Sequence, residues 1–187
     1  MAKDETKSNK LFWLDMEMSG LDVEKCKILE VACVVTDLDL NVLDEYQEVV
    51  FQPPEVLQAM DEWCTSTHGK SGLTAAVATG KTLEEVEQQM IAFTKKNFAG
   101  ARAVLAGNSI WQDRKFVDAY LPRLAELLHY RMVDVSSFKE VLRNKFSVHF
   151  KKQDSHRART DIYESIGELK HYLTFFNPNP EASPKSA

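Results

Sequence analysis

The stretch LFWLDMEMSGLD, residues 11–22, reads as a buried strand with two acids inside it. Leu11, Phe12, Trp13, Leu14, Met16 and Met18 are apolar, while Asp15 and Glu17 stand two residues apart. Alternate residues of a strand share a face. The two carboxylates therefore project side by side, beyond Trp13. Burying either one unpaired costs several kcal/mol. Two readings satisfy that constraint. The strand is an outer one with a wet face, or the acids bind a divalent cation, since magnesium takes one or two carboxylates together with substrate phosphate.

Working outward, strands are expected over residues 11–18, 28–36 and 42–51, with short polar turns that make an antiparallel meander. Pro53-Pro54 interrupts the pattern. Leu57, Met60 and Trp63 recur at helical spacing, which predicts one helix over 55–67 and a loop at HGKSG, residues 68–72. Thr82 with Glu85 carries a capping-box signature for a helix reaching residue 98. A short apolar strand follows over 103–107. A helix over 113–128 contains Pro122, as a kink or a new first turn. A fifth strand over 130–135 and helices over 138–146 and 157–176 complete the pattern. Three strands, then strands alternating with helices, describe an α/β fold: one mixed five-stranded sheet flanked by helices. The expected organisation is a flexible N-terminus over 1–10, one domain over 11–176, and a disordered Pro- and Ser-rich tail over 177–187.

Composition bounds the function. The chain has 187 residues, enough for one domain with a sizeable core. No apolar run approaches the ~20 residues of a membrane span. The first residues, MAKDETKSNK, are polar and mixed in charge, unlike a secretory or transit segment, so a cytoplasmic protein is expected. Cys26, Cys33 and Cys64 form no CxxC pair and read as reduced thiols. A net charge of −5 argues against a grip on long nucleic acid through many phosphates. It leaves room for a nuclease that takes a few nucleotides with the help of metal ions.

Two further segments carry acids. Asp113 lies in NSIWQD, residues 108–113, after the short apolar strand. Asp161 lies in SHRARTD, residues 155–161, five residues after His156. Each has an ordinary explanation alone: a first-turn acid favoured by the helix dipole, and a solvated helix start on which Arg157 and Arg159 are surface charges. Together the order is DxE on a first strand, an Asp after a central strand, and H-x4-D on a last helix.

That order resembles the DEDDh group of 3′-to-5′ exonucleases, which have a ribonuclease H-like fold. LDMEMSGLD, DEWC with THGKSGL, AGNSIWQDRKF, HYRMVDVSS and SHRARTDIYES are similar to the oligoribonucleases of that group, over residues 11–172. The resemblance implies hydrolysis of very short RNA, 5′-phosphorylated dinucleotides especially, to 5′-mononucleotides. It implies two Mg²⁺ or Mn²⁺ ions held by Asp15, Glu17, Asp113 and Asp161, with His156 as general base. It also implies substrate contacts: Leu21 between the two bases, Trp63 and His68 along the nucleotide, Ser109 beside the acids, and Tyr130, Arg131 and Ser136 around the 5′ phosphate. By the same resemblance, part of that cap comes from the second subunit of a homodimer. Read without the resemblance, Trp63 and Tyr130 are core aromatics, Leu21 a turn residue, His68 a loop histidine, Arg131 a surface charge and Ser136 an N-cap.

The sequence departs from the family pattern at Thr160, where a second acid is expected, and in RNKFSVHF, residues 143–150, which lacks an expected tryptophan. Two rival readings stand beside it. One is another exonuclease of the same group that trims longer RNA or DNA. The other is an inactive nucleic-acid-binding module on the same fold.

Overall fold

The computed structural model describes residues 8–151 and 157–176. Among these, five strands form one sheet: β1 (Lys10–Met18), β2 (Ile28–Asp37), β3 (Val42–Val49), β4 (Ala103–Gly107) and β5 (Leu128–Asp134). Their order is β3-β2-β1-β4-β5. The first three form the predicted antiparallel meander, and β4 and β5 join in parallel to β1, so the sheet is mixed. The expected flexible and disordered ends and His156 lie partly or wholly outside the described residues.

Because β1 is the central strand, the reading of an outer strand with one wet face is wrong. Helices cover both of its faces, which is why its apolar residues do not alternate with polar ones. Phe12, Leu14 and Met16 pack with Met90, Ile110, Phe116 and Val117 on one face. Trp13 packs with Leu142, Ile162, Ile166 and Leu169 on the other. Trp13 is fully buried, and its indole N–H is satisfied by Thr36 Oγ1 at 2.9 Å. Helices α4 (Leu83–Phe98) and α5 (Ile110–Tyr120) build the first layer, and α7 (Val135–Phe146) and α8 (Ala158–Leu173) the second. No helix among the described residues is long and apolar enough to cross a membrane.

Local chemistry explains where the elements differ from expectation. The helix predicted over 55–67 is two helices, α1 (Pro54–Gln58) and α2 (Glu62–Lys70). Asp61 accepts the Cys64 N–H at 2.7 Å and starts α2 afresh. The apolar spacing does not mark one buried face: Met60 is buried, but Trp63 is 61% exposed. The loop predicted at 68–72 shrinks to Ser71 and Gly72, because His68, Gly69 and Lys70 stay helical. Gly72 takes φ 77°, a left-handed backbone that glycine adopts without strain, and leads into α3 (Leu73–Val77). Pro122 opens a new helix, α6 (Pro122–Ala125), rather than kinking α5. Helix α5 begins at Ile110, ahead of the predicted residue 113. Helix α7 begins at Val135, with Asp134 and not Ser136 as its N-cap. The Thr82–Glu85 capping box is present in both its bonds.

Strand β4 approaches β1 very closely at its end. A Cβ placed on Gly107 would stand 2.9 Å from the Leu14 carbonyl oxygen and 3.1 Å from Ile110 Cδ1. Gly107→Ala is therefore expected to push β4 from β1 and destabilise the fold by about 1–3 kcal/mol, as overpacking does. Urea unfolding would check this, and a variant as stable as the parent would contradict the close approach.

Candidate active site

The site forms where the sheet opens. Strand β4 pairs with β1 only from Leu11 to Trp13, then turns away into α5. The Met16 N–H, left without a strand partner on that side, donates to Asp113 Oδ1 at 3.0 Å. Asp113 occupies the first turn of α5 and is 6% exposed. On the other face, Asp15 and Glu17 meet Asp161 from the first turn of α8. One carboxylate oxygen from each of these three acids lies within 4.8 Å of the others. Asp113 stays outside that group of oxygens but acts on Glu17 through its charge.

The electrostatics follow from crowding. Burial pushes the Glu17 carboxyl from 4.5 up to about 8, and Asp161, Glu30 and Asp113 add to it while Arg157 opposes it. Burial likewise raises Asp113 from 3.8 to about 7; its own and the Met16 backbone N–H groups oppose the shift, and Asp134 adds to it. Hard oxygen donors this close, with Glu17 among them and Asp113 beside them reluctant to ionise, suit a hard divalent cation. Asp15, Glu17 and Asp161 would hold such an ion, with Asp113 alongside.

A cavity of about 510 Å³ opens beside Glu17, walled by Met16, Met18, Leu21, Trp63, Cys64 and His68. Leu21 is 73% exposed and Trp63 is exposed as well, so neither is core. His68 is buried; its Nε2–H donates to the Met18 carbonyl at 3.0 Å. Its Nδ1 then faces Glu17 Oε2 at 3.8 Å and has no hydrogen-bond partner among the described residues. The loop bearing Leu21 is tied to α5, since Gln112 Nε2 donates to the Leu21 carbonyl at 2.7 Å.

Ser109 and Ser136 come together at the ends of β4 and β5. The Ser109 N–H donates to Ser136 Oγ at 2.7 Å and to Asp134 Oδ1 at 3.0 Å. Tyr130 and Arg131 stand apart from the acids, on the outer strand β5. The arginine Nε donates to the Tyr130 hydroxyl at 2.9 Å, and Tyr130 stacks on His129. The strand register sets Tyr130 near Val104, which pairs with Leu11, four residues before Asp15. That separates the Tyr130 and Asp15 backbones by about 13 Å along the strands and about 10 Å across them.

Sequence reasoning missed three residues around these groups. Glu30, fully buried on β2, binds Arg157, which is therefore not the free surface charge its sequence context suggests. Asp134 joins Ser109 to Ser136. Asn108 ties the end of β4 to Ser165 and Glu168 of α8. The signal for Glu30 was available: a lone acid inside the apolar run ILEVACVV demands a partner.

Comparison with known proteins shows the family. The exonuclease family RNase_T matches residues 12–169. The human protein named mitochondrial oligoribonuclease is 44% identical over 178 residues, 92% of this chain and 75% of its own. A Francisella tularensis oligoribonuclease is 45% identical over 170 residues, covering 88% of this chain and 94% of its own. The chain belongs to the oligoribonuclease family of exonucleases. Solved structures show the same fold at lower identity. Exonuclease I from Methylocaldum szegediense matches with a TM-score of 0.69 at 15% identity, over 92% of this chain. A zinc-bound complex of the E. coli enzyme with single-stranded DNA matches with a TM-score of 0.71 at 13% identity, over 90% of this chain. The present chain spans only about two-fifths of each, 42% and 41%.

The raised carboxyls make a pH prediction. A carboxyl whose folded pKa exceeds its unfolded one holds more protons in the folded state between the two values. The ion-free protein of this oligoribonuclease family member should therefore lose stability as pH rises from 4.5 toward 8. Its melting temperature is expected to be higher at pH 5.5 than at pH 8. Glu17→Gln should raise the value at pH 8 and shrink the difference, and saturating Mn²⁺ should stabilise most at pH 8. Calorimetric scans at both pH values check this; an ion-free melting temperature that climbs with pH would contradict the site's electrostatics.

Proposed function

We propose that the chain cuts 5′-mononucleotides from the 3′ ends of very short RNA, 5′-phosphorylated dinucleotides above all, with two Mg²⁺ or Mn²⁺ ions held by Asp15, Glu17, Asp113 and Asp161. The observation that carries this reading is the convergence of three carboxylate oxygens within 4.8 Å, next to a cavity flanked by Leu21 and Trp63. Bound ions supply the phosphodiester with countercharge and Lewis acidity. The chain's own residues do the rest. His156 is assigned as general base: a neutral imidazole accepts the proton of the attacking water near pH 7. Trp63 offers an aromatic face for a base, and stacking of this kind tolerates any sequence. Leu21, apolar and held out on a pinned loop, separates the two bases. The buried His68 lines the same wall.

The 5′ phosphate is assigned to Ser109, Ser136, Arg131 and Tyr130, since hydroxyls and a guanidinium fork suit phosphate oxygens. Tyr130 is too far from its own acids to join them, so we assign it to the site of a second subunit in a two-fold homodimer. It is 70% exposed on the outer strand, where such a partner would lie. Three free thiols suit a reducing compartment, for which we propose the cytoplasm; the human relative is named as mitochondrial.

A substrate that must reach the acids with its 3′ phosphodiester and the cap with its 5′ phosphate has a set length. Longer strands lose the cap, and a lost charge-assisted contact costs about 1.5–3 kcal/mol, roughly tenfold to a hundredfold. Single-turnover rates on RNAs of two to seven residues are expected to peak at the 5′-phosphorylated dinucleotide. Arg131→Ala should flatten that preference and keep the chemistry. Equal rates at every length, or no loss on removing the 5′ phosphate, would refute the cap.

Tyr130 acting across subunits makes a separate prediction. Asp113→Asn should be inactive and Tyr130→Ala weak on dinucleotides. Mixed and refolded together, they should regain activity, because one site of each mixed dimer has intact acids and an intact tyrosine. Sedimentation would register the dimer, and a mixture no better than its parts would remove the shared cap.

A further inference from the structure

We infer that Glu30 is a positioning residue: it clamps the start of α8 to β2 and so holds Asp161 against the two acids of β1. Glu30 is the single acid in the buried part of β2 and has no exposure. Its carboxylate is fully engaged. Arg157 donates from Nη2 to Oε1 at 2.6 Å and from Nε to both oxygens at 3.2 and 3.1 Å. Gln47 Nε2 adds a bond of 2.8 Å. The fourth donor is the Ala158 N–H at 3.2 Å, the first N–H of α8.

That last contact matters because Arg157, the N-cap residue, places no side chain on the helix end. Glu30 caps α8 from a neighbouring strand, and a carboxylate at a helix N-terminus is favoured by the dipole. The clamp connects directly to the acids. In the β1–β2 register Glu30 pairs with Glu17. The Arg157 carbonyl accepts the Asp161 N–H at 3.1 Å. Through the chain Glu30–Arg157–Asp161, the strand beside Asp15 and Glu17 sets the distance at which the third acid stands.

Such a restraint is needed because three carboxylates repel one another before any ion enters. A helix free to drift would carry Asp161 away, and the site would have to be rebuilt on each binding event. Pre-organisation removes that cost, so loss of the clamp should appear as weaker ion binding. The inference rests on the metal reading of the site.

The test measures Mn²⁺ binding by titration calorimetry, without RNA, on the full chain. Glu30→Gln is expected to weaken binding at least tenfold. Glu87→Gln is the matched control. Glu87 is also a buried acid that caps a helix from elsewhere, accepting the Arg123 and Leu124 N–H groups of α6 and pairing with the Arg123 side chain at 2.7 Å. It belongs to the other layer, so it should cost stability and leave Mn²⁺ affinity within twofold. Arg157→Lys, which keeps the charge but loses the fork, should fall between, and it decides the matter if Glu30→Gln does not fold. Unchanged affinity in the clamp variants, or an equal loss in Glu87→Gln, overturns the inference while leaving the metal site intact. A parent chain that binds no Mn²⁺ overturns the metal reading, and the clamp with it.

Discussion

Mutual repulsion among the acids at the open end of the sheet is the constraint around which this molecule is arranged. A carboxyl held near 8 is a group the fold confines at a cost. Several features offset that cost. Asp113 and Asp161 both occupy first helical turns, where exposed N–H groups and the helix dipole favour negative charge. Asp113 takes the Met16 N–H that the departing strand β4 leaves unpaired. Arg157 brings a positive charge next to Glu17 while being bound to Glu30. The remaining imbalance is what makes the site receptive to a divalent cation.

The position of the site follows from topology. Strands β1 and β4 run parallel and separate at their carboxyl ends, which is where α/β sheets place their ligands. Gly107 ends β4 hard against the Leu14 carbonyl, and α5 beyond it sets Asp113 on the Met16 N–H. On the opposite side, a small separate core of Leu29, Met60, Cys64, Leu73 and Val77 fastens α2 and α3 to the sheet. Trp63 remains exposed while Cys64 and His68 of α2 are buried. An exposed aromatic side chain is thus carried by a wall with its own small core.

Residue patterning made much of the fold legible. The meander of the first three strands, the Thr82–Glu85 cap, the apolar run ending at Gly107 and the last helix all follow from local periodicity and local capping, which need no distant partner. The expectation failed where a side chain chose between two local structures. Asp61 restarted a helix that apolar spacing made continuous, and Asp134 capped a helix expected to start later. In both cases a carboxylate that accepts a backbone N–H marks the start of the helix.

The identities of the acids and their order along the chain could be read directly, because a pair of carboxylates two residues apart in an apolar strand is a physical contradiction that asks for a partner. The partner's location could not. That β1 lies at the centre of the sheet, that Asp161 meets Asp15 and Glu17 while Asp113 turns to a backbone N–H, and that Tyr130 lies far from all of them depend on strand order. The same is true of Glu30 and Arg157, 127 residues apart in the chain and in contact in space. Periodicity reports which face of an element is buried. Which elements then meet across that face is decided when the sheet assembles, by packing and charge acting between segments remote in sequence.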